Sequence, residues 1–251
     1  MTLDLDPCRK DNSPLPNFTA YQLLDACRER GCPVCRVEQK SVERYLDNQF
    51  YENVNSPKWR DRLRTSLGFC HEHSWLAVNQ RLGDALGFAI IYHDIVNTLL
   101  NQLKNGDNQA RPSLRGTSWR QQFTDQVQIM VEKIRSVITP RNRCPVCEHR
   151  EEAIRSTLTV LVKELETPEM SNALQASDGL CLPHLRLTLE HVKDISVCEK
   201  LLTMHRTKLE SLRAELAEFI RKNDYQFIQE GFGKEGDAWL RTLGIVVGSR
   251  K

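Results

Sequence analysis

The chain has 251 residues, 27% of them charged, with a formal net charge of +2. That length suffices to bury a core, as one domain or two small ones, and the balanced charge gives no electrostatic case for a nucleic-acid or acidic-surface binder. No apolar run approaches the ~18 residues needed to span a membrane, and Met1–Lys10 lacks the basic-then-apolar order of a secretory signal; the expectation is a cytoplasmic protein.

Residues 1–17 carry Pro7, Pro14 and Pro16 and little periodicity, so they are expected to be extended. A helix over about Thr19–Arg30 leads into Cys32-Pro33-Val34-Cys35. Val42, Leu46 and Phe50 then form an apolar stripe at helical spacing. Asn55-Ser56-Pro57 stops that helix and opens a shorter one carrying Trp59 and Leu63, with proline at its first position. Gly68 ends it, as glycine commonly does just past a helix, and Cys70-His71-Glu72-His73 opens the next. A long helix follows with Leu86, Ile90, Ile91, Ile95, Leu99 and Leu103 on its apolar face. Residues 105–116, rich in Asn, Gly, Pro and Arg, read as a linker.

The order then recurs. A helix over about Trp119–Ile138 precedes Cys144-Pro145-Val146-Cys147. Ile154, Leu158, Leu161, Val162 and Leu165 form the stripe, Thr167-Pro168 the break, and Met170 and Leu174 mark the short helix. Gly179 and Cys181-Leu182-Pro183-His184 follow, then a long helix with Leu201, Leu202, Leu209, Leu212, Leu216 and Ile220. Cys32, Pro33, Val34 and Cys35 map onto the second set by a shift of 112, and Pro57, Gly68, Cys70 and His73 by 111. A tandem duplication explains these coincidences together. The expected fold is all-α: two pseudo-equivalent helical repeats, 18–104 and 117–223, and a tail at 224–251 that packs as a short helix or strand over the core or serves as a docking segment.

Each repeat carries three cysteines and one histidine in a C-P-V-C, gap, G-x-C-x-x-H pattern, a full tetrahedral set for zinc. The expected metal ligands are Cys32, Cys35, Cys70 and His73, and Cys144, Cys147, Cys181 and His184, holding two zinc ions per chain. His73 is preferred to His71 because Leu182 occupies the position equivalent to His71. Spacing of i, i+3 places each pair on one helical face, and proline pre-forms the first turn. The intervening excursion, a helix of about four turns out and a shorter one back, is read as returning the chain to its start, with one site inside each repeat. Exchange of pairs between repeats is the less economical alternative. Arg28, Arg30, Arg36, Arg141, Arg143 and Arg150 flank the CPVC segments, as donors offsetting the site's charge or as solvated surface. Cys8, Cys27 and Cys198 fall outside the pattern and read as small core residues; an odd total of nine cysteines argues against a disulfide framework. His93 and His205 sit at matching positions in apolar helices.

A closed four-ligand site leaves no position for water or substrate, and no catalytic motif is present. The leading reading is a zinc-stabilised helical scaffold acting on a protein partner, by interaction or regulation. An iron–sulfur redox or sensor protein is the alternative, and a zinc-dependent nucleic-acid-binding regulator the second. A dithiol oxidoreductase would need CPVC after a strand in a βαβ context, which is absent.

CPVC…GFC-x-x-H repeated as CPVC…GLC-x-x-H resembles an uncharacterised prokaryotic family classed as a domain of unknown function. The tail resembles it as well, in Asn223-Asp224-Tyr225, Glu235-Gly236-Asp237-Ala238-Trp239 and Gly248, so that the resemblance spans about residues 20–248. It implies metal binding at the eight positions above and no assigned activity.

Overall fold

The computed structural model describes residues 18–109 and 119–249, and side chains outside 105–126. The chain is all-α. Its helices are α1 (Phe18–Ala26), α2 (Pro33–Glu52), α3 (Pro57–Ser66), α4 (His71–Asn79), α5 (Ala85–Gln109), α6 (Trp119–Ile138), α7 (Pro145–Glu164), α8 (Pro168–Ala176), α9 (Leu182–His191), α10 (Ile195–Lys222) and α11 (Ala238–Val247). Two short 3-10 turns, Ile228–Glu230 and Lys234–Asp237, precede α11.

Proline opens α2, α3, α7 and α8, where a missing N–H costs nothing because the first amides of a helix have no partner inside it. Thr167 caps α8, its hydroxyl accepting from the Met170 amide at 3.3 Å. At the end of α3, Leu67 adopts φ 53° and the Gly68 amide donates to Leu63 at 2.8 Å, a Schellman closure that turns the chain sharply into Cys70. α5 continues to Gln109, into the expected linker. Extending an established helix through Asn105 and Gly106 costs only about 1 kcal/mol per poor helix former. The rest of that linker and the N-terminal segment 1–17, with Cys8, lie outside the described residues.

Two compact units are present, and neither coincides with an expected repeat. One comprises Met1–Glu38 and Ile154–Lys251; the other is Gln39–Ala153. The first is built on Leu23, Leu158, Leu161, Leu165, Leu180 and Leu201, all 0–1% exposed. Cys27 is buried in the same core. Leu161→Ala is expected to lower the stability of this unit by about 3 kcal/mol, the transfer and cavity cost of a buried leucine. The urea midpoint of the variant measures it, followed by a probe within residues 154–251.

The second unit is built on Leu46, Leu63, Ile91 and Val146, with an aromatic cluster beside them. Phe50 packs on Phe88 at 4.3 Å between centroids and on Phe69 at 5.8 Å, and Trp59 lies 6.3 Å from Phe69. His149 stacks on Tyr45 at 4.1 Å and its Nε2 lies 3.0 Å from the Ser41 hydroxyl.

In the first unit the tail packs as a helix, α11, against α9 and α10. Ala238 and Ile245 are its buried contacts. Arg241 fastens it, pairing with Glu215 of α10 and with Asp237. Lys222 closes the preceding loop onto Glu235 at 2.8 Å.

Candidate metal centres

The helix starts place the chemistry. Cys70 is the N-cap of α4 and His73 its third residue; Cys181 and His184 hold the same places in α9. Cys32 immediately precedes α2, and Cys144 precedes α7, with Cys35 and Cys147 third in those helices. A side chain at the N-cap and one at the third helical position converge on the unpaired amides of the first turn. Those amides and the positive end of the helix dipole favour negative charge on sulfur.

These pairs meet in two clusters, each inside one compact unit: Cys32, Cys35, Cys181 and His184 in the first, and Cys70, His73, Cys144 and Cys147 in the second. The expectation of one site inside each repeat is thereby corrected: every CPVC faces the C-x-x-H of the other repeat. The reason is length. At ~1.5 Å per residue, the twenty residues of α2 travel about 30 Å and the ten of α3 return only about 15 Å. The excursion therefore falls well short of its start, and Cys70 reaches a different CPVC from the one that began it.

In the first cluster His184 Nδ1 lies 3.6, 3.3 and 3.2 Å from the sulfurs of Cys32, Cys35 and Cys181, and Cys35 and Cys181 are 3.7 Å apart. In the second, His73 Nδ1 lies 3.2, 3.8 and 3.4 Å from Cys70, Cys144 and Cys147, with Cys70 and Cys147 3.6 Å apart. A disulfide needs ~2.05 Å. A tetrahedral ion with metal–sulfur bonds of ~2.3 Å and a metal–nitrogen bond of ~2.05 Å has S–S edges of about 3.8 Å and S–N edges of about 3.6 Å. Both donor sets fit that tetrahedron. The eight described cysteines are free thiols.

Their acid–base chemistry reflects crowding. Burial, then contact with Cys181 and Cys35, pushes the Cys32 thiol well up. Hydrogen bonds from Cys181 and Cys32 hold Cys35 far below its ordinary value. Burial lowers the pKa of His184, but Cys181, Cys35 and Glu38 outweigh it and the net shift is upward. Burial first, then Cys70 and Cys144, lifts Cys147 to about 12. Thiols packed this closely do not all ionise by themselves; a divalent cation among them removes the repulsion.

Two further contacts belong to the first cluster. The Glu38 carboxylate lies 3.3 Å from His184 Nε2, with both residues buried; it orients the ring and leaves Nδ1 facing the sulfurs. Glu38 sits three residues after Cys35 on the same helical face, a spacing that was available in the sequence. The end of the tail is the second contact. The Cys32 amide donates to the Ser249 hydroxyl at 3.3 Å. Gly248, at φ +99°, lies so near that a Cβ there would be 3.7 Å from the Cys35 sulfur. Gly31 packs equally tightly, since its Cβ would meet the Ser249 hydroxyl at 2.7 Å.

Other candidates fall away from the clusters. His71 is exposed, and its edge faces Trp75. His93 is exposed and contacts Asn97, whereas His205 is buried with neither ring nitrogen bonded, so their matching positions do not carry a shared environment. Arg28, Arg30 and Arg143 pair with Asp25, Asp237 and Glu151 on the surface. Arg36 donates to the Arg30 carbonyl at 3.0 and 2.8 Å, shaping the loop before Cys32.

A family model described as a family of unknown function (DUF6062) matches residues 19–251. An uncharacterized 23.9 kDa protein of the xynA 3' region in Caldicellulosiruptor sp. (strain Rt8B.4) is 25% identical over 231 residues, covering 91% of this chain and 100% of that protein. No solved structure matches. No helix among the described residues is long and apolar enough to cross a membrane.

Proposed function

The chain belongs to that family of unknown function (DUF6062), and we propose that it is a helical scaffold held by two structural zinc ions which works by binding another protein. One observation carries the reading: in each unit four protein donors lie within 4.8 Å of one another. Four protein donors complete a zinc shell and leave no position for a substrate. The S–S separations support a single ion per site, because thiolates that each ligate a different iron of a cluster stand farther apart than one tetrahedron's edge. Thiols kept for metal suit the reducing cytoplasm. Support for a protein partner comes from α6, where Val127, Val131, Ile134 and Ile138 are exposed at helical spacing. Such a row on one helix face is how amphipathic helices dock.

Elemental analysis of protein purified without oxygen, with a visible spectrum of the same sample, tests the metal. Two colourless zinc ions per chain are expected. Iron with acid-labile sulfide and a brown colour would replace the scaffold with a redox or sensing protein.

A further inference from the structure

Resting on the zinc reading, we propose that the two sites hold their ions unequally. The site of Cys32, Cys35, Cys181 and His184 retains its ion, and the site of Cys70, His73, Cys144 and Cys147 exchanges its own with the surroundings. The fold of the Gln39–Ala153 unit then follows the level of free zinc, while the other unit stays folded.

Charge is the first reason. Glu38 places a carboxylate 3.3 Å from the His184 ring. The shift of 112 that relates the CPVC segments puts Arg150 at the equivalent position. Arg150 approaches Glu72, at 3.2 Å, so this neighbourhood brings an ion pair where the first site brings a carboxylate on its histidine. A carboxylate near a dication strengthens its binding, and a guanidinium weakens it. The carboxylate also fixes the tautomer that ligates through Nδ1.

Cover is the second reason. Exchange of a thiolate-bound ion begins with an incoming ligand or proton reaching the sulfur. In the first site three of the four donors are buried; in the second, Cys70 and Cys147 are both half-buried. The tail adds a strap over the first site alone. Ser249 accepts from the Cys32 amide and Gly248 lies against the Cys35 and Cys181 sulfurs. The strap is anchored where Asp237 receives Arg241 at 2.7 Å and Arg30 at 2.7 Å. Duplication supplies no second copy of this segment, because it follows the last helix of the second repeat.

The test uses the full chain loaded with zinc and treated with EDTA, with ions counted by native mass spectrometry. Iodoacetamide traps each thiol as it is freed, and peptide mapping names it. The expected course is two ions, then a plateau at one, with the two half-times separated by at least ~10-fold, the lower bound of typical outer-shell effects. At the plateau Cys70, Cys144 and Cys147 are alkylated and Cys32, Cys35 and Cys181 are protected. Glu38→Gln, and separately removal of residues 248–251, should shorten the slow half-time by ~10-fold. Loss of both ions in one step overturns the inference, as does earlier alkylation of Cys32, Cys35 and Cys181; both leave the zinc scaffold standing. A chain that takes up fewer than two ions overturns the scaffold itself. Wild-type alkylation order decides the matter even where a variant does not fold.

Discussion

Replacing Cys181 with serine loosens the unit that holds Cys32 and leaves the unit that holds Cys144 folded. The donor lost is 3.7 Å from the Cys35 sulfur and 3.2 Å from His184 Nδ1, so the site that fails belongs to Cys32 and Cys35. Structural zinc contributes on the order of 10 kcal/mol to a small domain, and one missing thiolate of four forfeits a large part of it. Hydrogen exchange followed by mass spectrometry reads the outcome helix by helix. α1, α8 and α9 should lose protection, while α3 and α4 keep theirs. Cys70→Ser should give the reverse. Cys198→Ser, which removes a thiol outside both clusters, should leave all of these helices as they were. Loosening around Cys144 in the Cys181 variant would restore the pairing within each repeat and refute the exchanged one.

Removing both ions should abolish cooperative melting of the chain. Two sites contribute on the order of 10 kcal/mol each, against a total stability for ordinary domains of about 5–15 kcal/mol. Strong chelation at neutral pH is therefore expected to cost most of the far-ultraviolet circular dichroism signal of the helices, and added zinc to restore it. Acid should act in the same direction. A bound thiolate has its pKa depressed below that of the free thiol, so its contribution is present at neutral pH and is lost as pH falls and protons displace the ion. The midpoint of melting should fall with pH in the zinc-loaded chain. An unchanged melt after verified metal removal would show that the cores around Leu161 and Leu46 suffice alone.

Much of this was legible in the residues. Apolar spacing located the helices, and proline and glycine located their starts and ends: α6 at Trp119–Ile138, and α3 and α8 beginning at Pro57 and Pro168. The residues of both donor sets were legible from types and intervals, because a C-x-x-C or C-x-x-H pair converges through local geometry alone. Their partnership was not. Which pair meets which depends on how far α2 runs against how far α3 returns, a sum over thirty residues that no motif records. Glu38 escaped notice for a different reason. A glutamate three residues after a cysteine is unremarkable until Glu38 is seen buried against His184. Gly248 and Ser249 belonged to a segment recognisable by resemblance, but nothing in their types announced a contact over 200 positions away in sequence, with Cys32.

The nested order of the units bears on how the chain is made. The Gln39–Ala153 unit is continuous, and its site is complete once Cys147 has left the ribosome. The other unit waits longer, since its donors Cys35 and His184 lie 149 positions apart. Throughout that interval the first CPVC is reactive and without its partners. The earliest thiol and imidazole to appear after it are Cys70 and His73, the wrong ones. A mixed set of Cys32, Cys35, Cys70 and His73 is the first tetrahedron that synthesis offers. The length of α2 guards against it: once that helix forms, within microseconds against the tenths of a second each new residue takes, it holds the two pairs beyond the reach of a single ion. Helix length here is a proofreading device, and shortening α2 by two or three turns would remove the guard while leaving every ligand in place.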